Sequence, residues 1–183
     1  MTWIETISYE AARGRLKAIY ERIKGPDDNV DNILMAHSLR PHTLEGHMTL
    51  YKYVLHHPSN TLPKWLLEAI GTYVSILNKC SYCIDHHFAG LRRLLANDER
   101  ADALRIAFDS HAPETAAGHL SERDIAALTY AALLTQTPSG VTEQDIQTLR
   151  APGLTDGEIL EVNPVTAGQA RSTKRLDVLF GDA

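Results

Sequence analysis

Two helical stripes meet at Asn78, and their junction restricts this chain more than any other feature. Leu66, Ile70, Tyr73 and Leu77 recur at intervals of three or four residues, the spacing of a helix with one face on a core. Asn78 marks a turn. A further helix runs from about residue 80 to Leu95, with Leu91, Leu94 and Leu95 supplying apolar contact. If the two fold back on each other near Leu77–Asn78, they form an antiparallel hairpin. In that hairpin Glu68 and His87 lie nearly equidistant from the turn and so at similar height.

The rest of the chain reads the same way. Ser8-Tyr9-Glu10-Ala11 can open a first helix carrying Leu16, Ile19 and Ile23, stopped by Gly25-Pro26-Asp27-Asp28-Asn29. A short helical segment follows around Ile33–Ser38. Pro41 suits the start of a helix through Leu44, Met48, Tyr51 and Leu55, and Pro63 suits the first turn of the next. Glu99–Phe108 is helical, and His111–Gly118 is loop-like. Ser121 and Thr142 are N-caps, and Thr155-Asp156-Gly157-Glu158 is a capping-box pattern. The tail from Glu161 to Phe180 is mostly helical, with Pro164 expected to kink or split it. No stretch alternates as a strand does. The expected architecture is all-α, a single domain over residues 1–183, with the CxxC at the start of a core helix.

Charge and composition exclude several function classes. The formal net charge is −5, spread along the chain, with no basic patch for a polyanion, so nucleic acid is not an expected partner. No apolar run is long enough to span a membrane, and the first residues lack a secretory pattern, so a cytoplasmic location is the default. No glycine-rich phosphate loop and no flavin or nicotinamide fingerprint is present, so no cofactor is expected.

The chain has two cysteines, both in Cys80-Ser81-Tyr82-Cys83. A bridge across two intervening residues closes almost no loop and would stabilise little, so these thiols are chemical or ligating. A pair this close can cycle between dithiol and disulfide. His87 is four residues after Cys83 and shares its helical face, which makes it the candidate base; His86 points away from Cys80 and reads as a polar flank or subunit-contact residue. Glu68 could orient the imidazole. A helix start favours a thiolate at Cys80, whereas the nearby histidine favours Cys83. Cys80, Cys83, His87 and Glu68 could also surround a zinc ion, although no second CxxC accompanies them. A non-enzymatic redox sensor or oligomeric scaffold is a further alternative.

Glu68, the CxxC and His87, at this spacing, resemble the signature of the alkylhydroperoxidase D family within the carboxymuconolactone decarboxylase-like superfamily. Val74-Ser75, Asn78-Lys79 and His86-His87 look closer still to its peroxidase-related branch. The resemblance is sharpest over residues 60–96. It implies an all-helical fold, self-association as a dimer, trimer or hexamer, and no metal. It also implies thiol-dependent reduction of hydrogen peroxide or organic hydroperoxides. By that likeness Cys83 attacks the peroxide, Cys80 resolves it into a disulfide, and Glu68 and His87 relay the proton. A reducing dithiol or lipoyl-bearing protein then restores the dithiol. Two positions depart from the family pattern. Tyr82 stands where alkylhydroperoxidase D proper has a histidine. The Asn-Arg pair frequent in the last helix of the branch faces Gln169-Ala170-Arg171-Ser172-Thr173-Lys174-Arg175, where Arg171 or Arg175 could match.

Overall fold

The computed structural model describes residues 3–180, and the side chains of residues 3–170. Among the described residues the chain forms helices α1 (Gly14–Ile23), α2 (Asn32–Met35), α3 (Pro41–Leu55), α4 (Lys64–Leu77), α5 (Ser81–Leu95), α6 (Asp98–Asp109), α7 (Glu122–Gln136), α8 (Glu143–Arg150) and α9 (Asp156–Phe180), and no strand. Short 3-10 turns occupy Pro26–Asp28, Pro113–Ala116 and Pro138–Gly140. None of these helices is long and apolar enough to cross a membrane.

α4 is the centre of the molecule. Every residue from Leu66 to Ile76 is buried, Glu68, Thr72 and Ser75 included. The single stripe expected from the sequence is therefore too narrow a description. α5 covers one side of α4, and α7 and α9 cover others. A helix walled on all sides carries polar groups only where a neighbour satisfies them. Thr72 and Ser75 donate their hydroxyls to the carbonyls of Glu68 and Gly71 in the preceding turn. A smaller apolar cluster joins Leu16, Ile19 and Tyr20 of α1 to Leu34 of α2 and Leu44 of α3.

The turn between α4 and α5 is as tight as Asn78 predicts. Cys80 N–H bonds the Ser75 carbonyl and Lys79 N–H bonds the Ile76 carbonyl, the pair of bonds that closes a helix in a Schellman motif. The motif needs a left-handed residue, and Lys79 supplies it with φ 59° where glycine is usual.

The structure moves several expected boundaries. Helix α1 starts at Gly14, not at Ser8. Ser8 instead closes a turn, taking the Ala12 N–H on its carbonyl and the Ala11 N–H on its hydroxyl, before Arg13 runs extended. The segment after Asn29 is helical only over Asn32–Met35 and continues as turns. Pro63 lies just outside α4, as its cap. His111–Gly118 includes a 3-10 turn. Pro164 neither splits nor ends α9. The carbonyl that Pro164 leaves without its helical partner belongs to Leu160, an exposed residue. The Ser121 and Thr142 caps form as read, and Thr155 and Glu158 exchange the bonds of a capping box.

Candidate active site

Cys80 ends one helix and begins the next. Its N–H closes α4, and its sulfur accepts the Cys83 N–H at 3.3 Å as the N-cap of α5. The CxxC thus stands at the head of α5, with Cys80 as the cap itself. Cys80 and Cys83 are joined as a disulfide with Cα atoms 5.3 Å apart, and both residues are buried. Tyr82 and Ile33 pack against the pair.

His87 sits one turn beyond Cys83 on α5 and is buried against α4. Its Nδ1 lies 2.7 Å from Oε2 of Glu68, also buried. The equal distance of these residues from the turn thus becomes contact across the hairpin. The pairing depends on two glycines. A Cβ at Gly71 would lie 2.8 Å from Nδ1 of His87, and a Cβ at Gly90 would lie 3.0 Å from the carboxyl carbon of Glu68. Close approach of α4 and α5 at this height requires both positions bare.

A further bond comes from α9. Nε2 of His87 lies 2.7 Å from Oε1 of Gln169, and Nε2 of Gln169 donates to Ser75 Oγ at 2.8 Å. The chain Glu68–His87–Gln169–Ser75 thus links three helices inside the core. Sequence reasoning does not single out Gln169 or Ser75 as site residues. Gln169 opens the stretch compared with the Asn-Arg pair, and that position is the available signal. The side chains of Arg171 and Arg175 lie outside the described residues.

Cys83, Tyr82, His86, His87 and Gln169 share a cavity of about 230 Å³, closed elsewhere by Ile33, Leu34, Met48 and Tyr51 among others. The lining is mostly apolar with convergent polar groups, as in small-molecule sites. Burial pushes the Tyr51 hydroxyl up to about 12, with a second push from the charge of Glu68. Burial likewise raises Tyr82, assisted by Asp31. Both phenols therefore stay protonated at neutral pH and can donate hydrogen bonds. His86, read as a flank, is partly exposed but lines this cavity, stacked on Tyr82 at 6.3 Å between ring centroids and edge-on to His87. Loss of solvent, then the charge of His87, hold His86 below the ordinary histidine value. His56, packed edge-on against Tyr51, is also lowered by burial. Among the described residues no three His, Cys, Asp or Glu side chains are arranged to hold a metal ion.

The Carboxymuconolactone decarboxylase family matches residues 41–112, which contain α3 to α6 and the whole thiol hairpin. A peroxidase-related protein from Silicibacter sp. TM1040 shares 25% identity, covering 88% of this chain and 80% of its own, with a TM-score of 0.75. A peroxidase-related protein from Ralstonia eutropha JMP134, described as having an alkylhydroperoxidase AhpD core, superposes with a TM-score of 0.81 at 20% identity, covering 97% of this chain and 90% of its own. A protein of unknown function from Agrobacterium tumefaciens gives a TM-score of 0.59 at 20% identity, over 76% of this chain and 89% of its own. No curated protein matches significantly in sequence. The all-helical fold with a CxxC at the head of a core helix is the AhpD-like fold. The family match over residues 41–112 and the shared fold make this chain similar to the carboxymuconolactone decarboxylase/AhpD-like, peroxidase-related superfamily.

Proposed function

We propose that the chain is a thiol-dependent peroxidase that reduces hydrogen peroxide or organic hydroperoxides through the Cys80–Cys83 disulfide. The observation that carries this reading is the joined cysteine pair beside a buried Glu68–His87 pair, with Cys83 lining the cavity. In the reduced protein His87 accepts the Cys83 proton, with Glu68 orienting the ring. The thiolate attacks the distal peroxide oxygen and the O–O bond breaks. Cys83 becomes a sulfenic acid, and the departing oxygen takes the proton from His87 to leave as an alcohol or water. The Cys80 thiol condenses with the sulfenic acid, releasing water and forming the disulfide. An external dithiol, free or on a lipoyl-bearing protein, reduces it by exchange.

A cytoplasmic location and a homo-oligomer of two, three or six copies fit the likeness to the family. The test is hydroperoxide consumption in the presence of dihydrolipoamide. Wild-type protein that reacts once and does not turn over would overturn the enzyme reading in favour of a redox sensor. Mass spectrometry of trapped sulfenic acid in Cys80→Ser and Cys83→Ser variants assigns the attacking thiol. Trapping at Cys80 alone would reverse the roles of the two cysteines.

A further inference from the structure

Gln169 reaches His87 from 82 residues away in sequence, and its orientation is fixed by atoms that leave it one choice. Ser75 Oγ lies 2.6 Å from the Gly71 carbonyl, which can only accept, so the Ser75 hydrogen is committed there. Toward Gln169 the same oxygen must therefore accept. The amide turns its NH₂ to Ser75 and its Oε1 to His87 Nε2. A carbonyl oxygen has no hydrogen to give, so Nε2 must carry one. On the other side of the ring Nδ1 meets the Glu68 carboxyl, also able to accept. Ser75, Glu68, His87 and Gln169 are all buried, so each acceptor counts.

We propose that Gln169, oriented by Ser75, is a positioning residue that completes a site built for the doubly protonated ring of His87. This rests on the reading of His87 as the base of Cys83. Nε2 already carries its hydrogen, so the proton from Cys83 goes to Nδ1, and both N–H groups then have oriented acceptors, a carboxylate on α4 and a carbonyl on α9. The amide is neutral, so it satisfies Nε2–H without adding a second negative charge near the thiolate. α9 thus belongs to the thiol site, although it lies beyond the stretch in which the family resemblance is strongest.

Other titratable groups face the same ring and stay unchanged in the test. They are Glu68 from α4, His47, Tyr51 and His56 from α3 and its end, and Cys83 and His86 from α5, with Arg93 acting on the set from further along α5. Gln169→Leu keeps the volume and removes the acceptor. Ser75→Ala keeps Gln169 and removes its anchor, and serves if the first variant folds poorly. The first readout is the ¹⁵N shift of both His87 ring nitrogens in the disulfide protein. The expected result is a protonated Nε2 in wild type, with lower proton occupancy in both variants. The second is the pH profile of Cys83 alkylation in the reduced protein, with a Cys80→Ser background to isolate the site. Loss of one hydrogen bond to a charged group moves its midpoint upward by about 1–2 pH units in Gln169→Leu, and less in Ser75→Ala. A bare Nε2 in the wild-type disulfide form overturns the proposal, as do variants that lower the melting temperature but leave the alkylation midpoint unmoved. Both readouts are independent of peroxide turnover. Failure of the peroxidase assay therefore leaves the tautomer result standing, and the converse also holds.

Discussion

Gly71→Ala and Gly46→Ala are the same substitution in two helix interiors, and the structure gives them opposite signs. At Gly46, exposed on α3, a new Cβ meets nothing within 4 Å. Only the backbone preference remains, and alanine should stabilise by about 0.5–1 kcal/mol. At Gly71 the Cβ would stand 2.8 Å from Nδ1, 3.0 Å from Cγ and 3.1 Å from Cε1 of His87. Relaxed contact lies at about 3.5–4 Å, so the ring must retreat by roughly 0.5–1 Å. Retreat stretches the 2.7 Å bond to Glu68 to the limit of hydrogen-bonding range or beyond it, at a cost of up to about 1.5–3 kcal/mol for a charged pair. Holding the ring in place instead incurs overpacking of about 1–3 kcal/mol. These are alternative releases of one overlap, so they do not add. After the backbone gain, the net is a loss of about 1–2 kcal/mol. A displacement of this size at a reacting group also slows chemistry by as much as ~10²-fold. Urea unfolding of both variants, with the Cys83 alkylation rate, checks this. Equal stabilisation by the two alanines, with unchanged alkylation, would show that His87 does not need the bare backbone of α4.

Three further outcomes follow from the packing. Burial lowers His56 and His86 from the ordinary 6.5, so the unfolded chain binds protons that the folded one refuses. Their contribution to stability is complete above pH about 6.5 and is lost as pH falls through their folded values. Denaturant midpoints at pH 7.5 and 5.5 should therefore differ, and a His56→Gln/His86→Gln double variant should narrow the gap. Lys79→Gly relieves the left-handed residue in the α4–α5 turn and should stabilise by about 0.5–1 kcal/mol in thermal unfolding, less if the entropy of the unfolded chain offsets it. Glu161 accepts from Thr61 N–H, Thr61 Oγ1 and Leu62 N–H ahead of α4, so Glu161→Ala should cost about 1–2 kcal/mol while leaving thiol alkylation untouched.

The legible part of the site is the part made by neighbours in sequence. A hairpin of two helices obeys a counting rule, so equal distance from Asn78 brings Glu68 to His87 without any knowledge of the fold. Helical phase likewise sets Cys83 and His87 on one face of α5. Gln169 is beyond such rules, because which face of α9 meets α4 is decided by packing across 82 residues. Gly71 and Gly90 carry a further signal, since glycine inside an otherwise strong helix weakens it unless something must come close. The start of α1 departs from its sequence signal for a different reason. Ser8 has the chemistry of an N-cap but spends it on a local turn, and the chain becomes helical only after the extended Arg13.

The helix start and the histidine favour negative charge at different sulfurs. Geometry lets both hold. Cys80 has its sulfur on the Cys83 N–H as the cap of α5, where the helix end stabilises negative charge. Cys83 lines the cavity that holds the His87 ring. In thiol exchange the sulfur that is not attacked departs, and it departs faster the lower its pKa. On the proposed cycle the cavity presents Cys83 to peroxide and to the incoming reductant, and Cys80 departs as a thiolate already capped. The helix terminus then serves the exchange step and the histidine serves the peroxide step. This division accounts for a CxxC whose first cysteine is tied into the backbone at the junction of both helices and whose second faces the cavity.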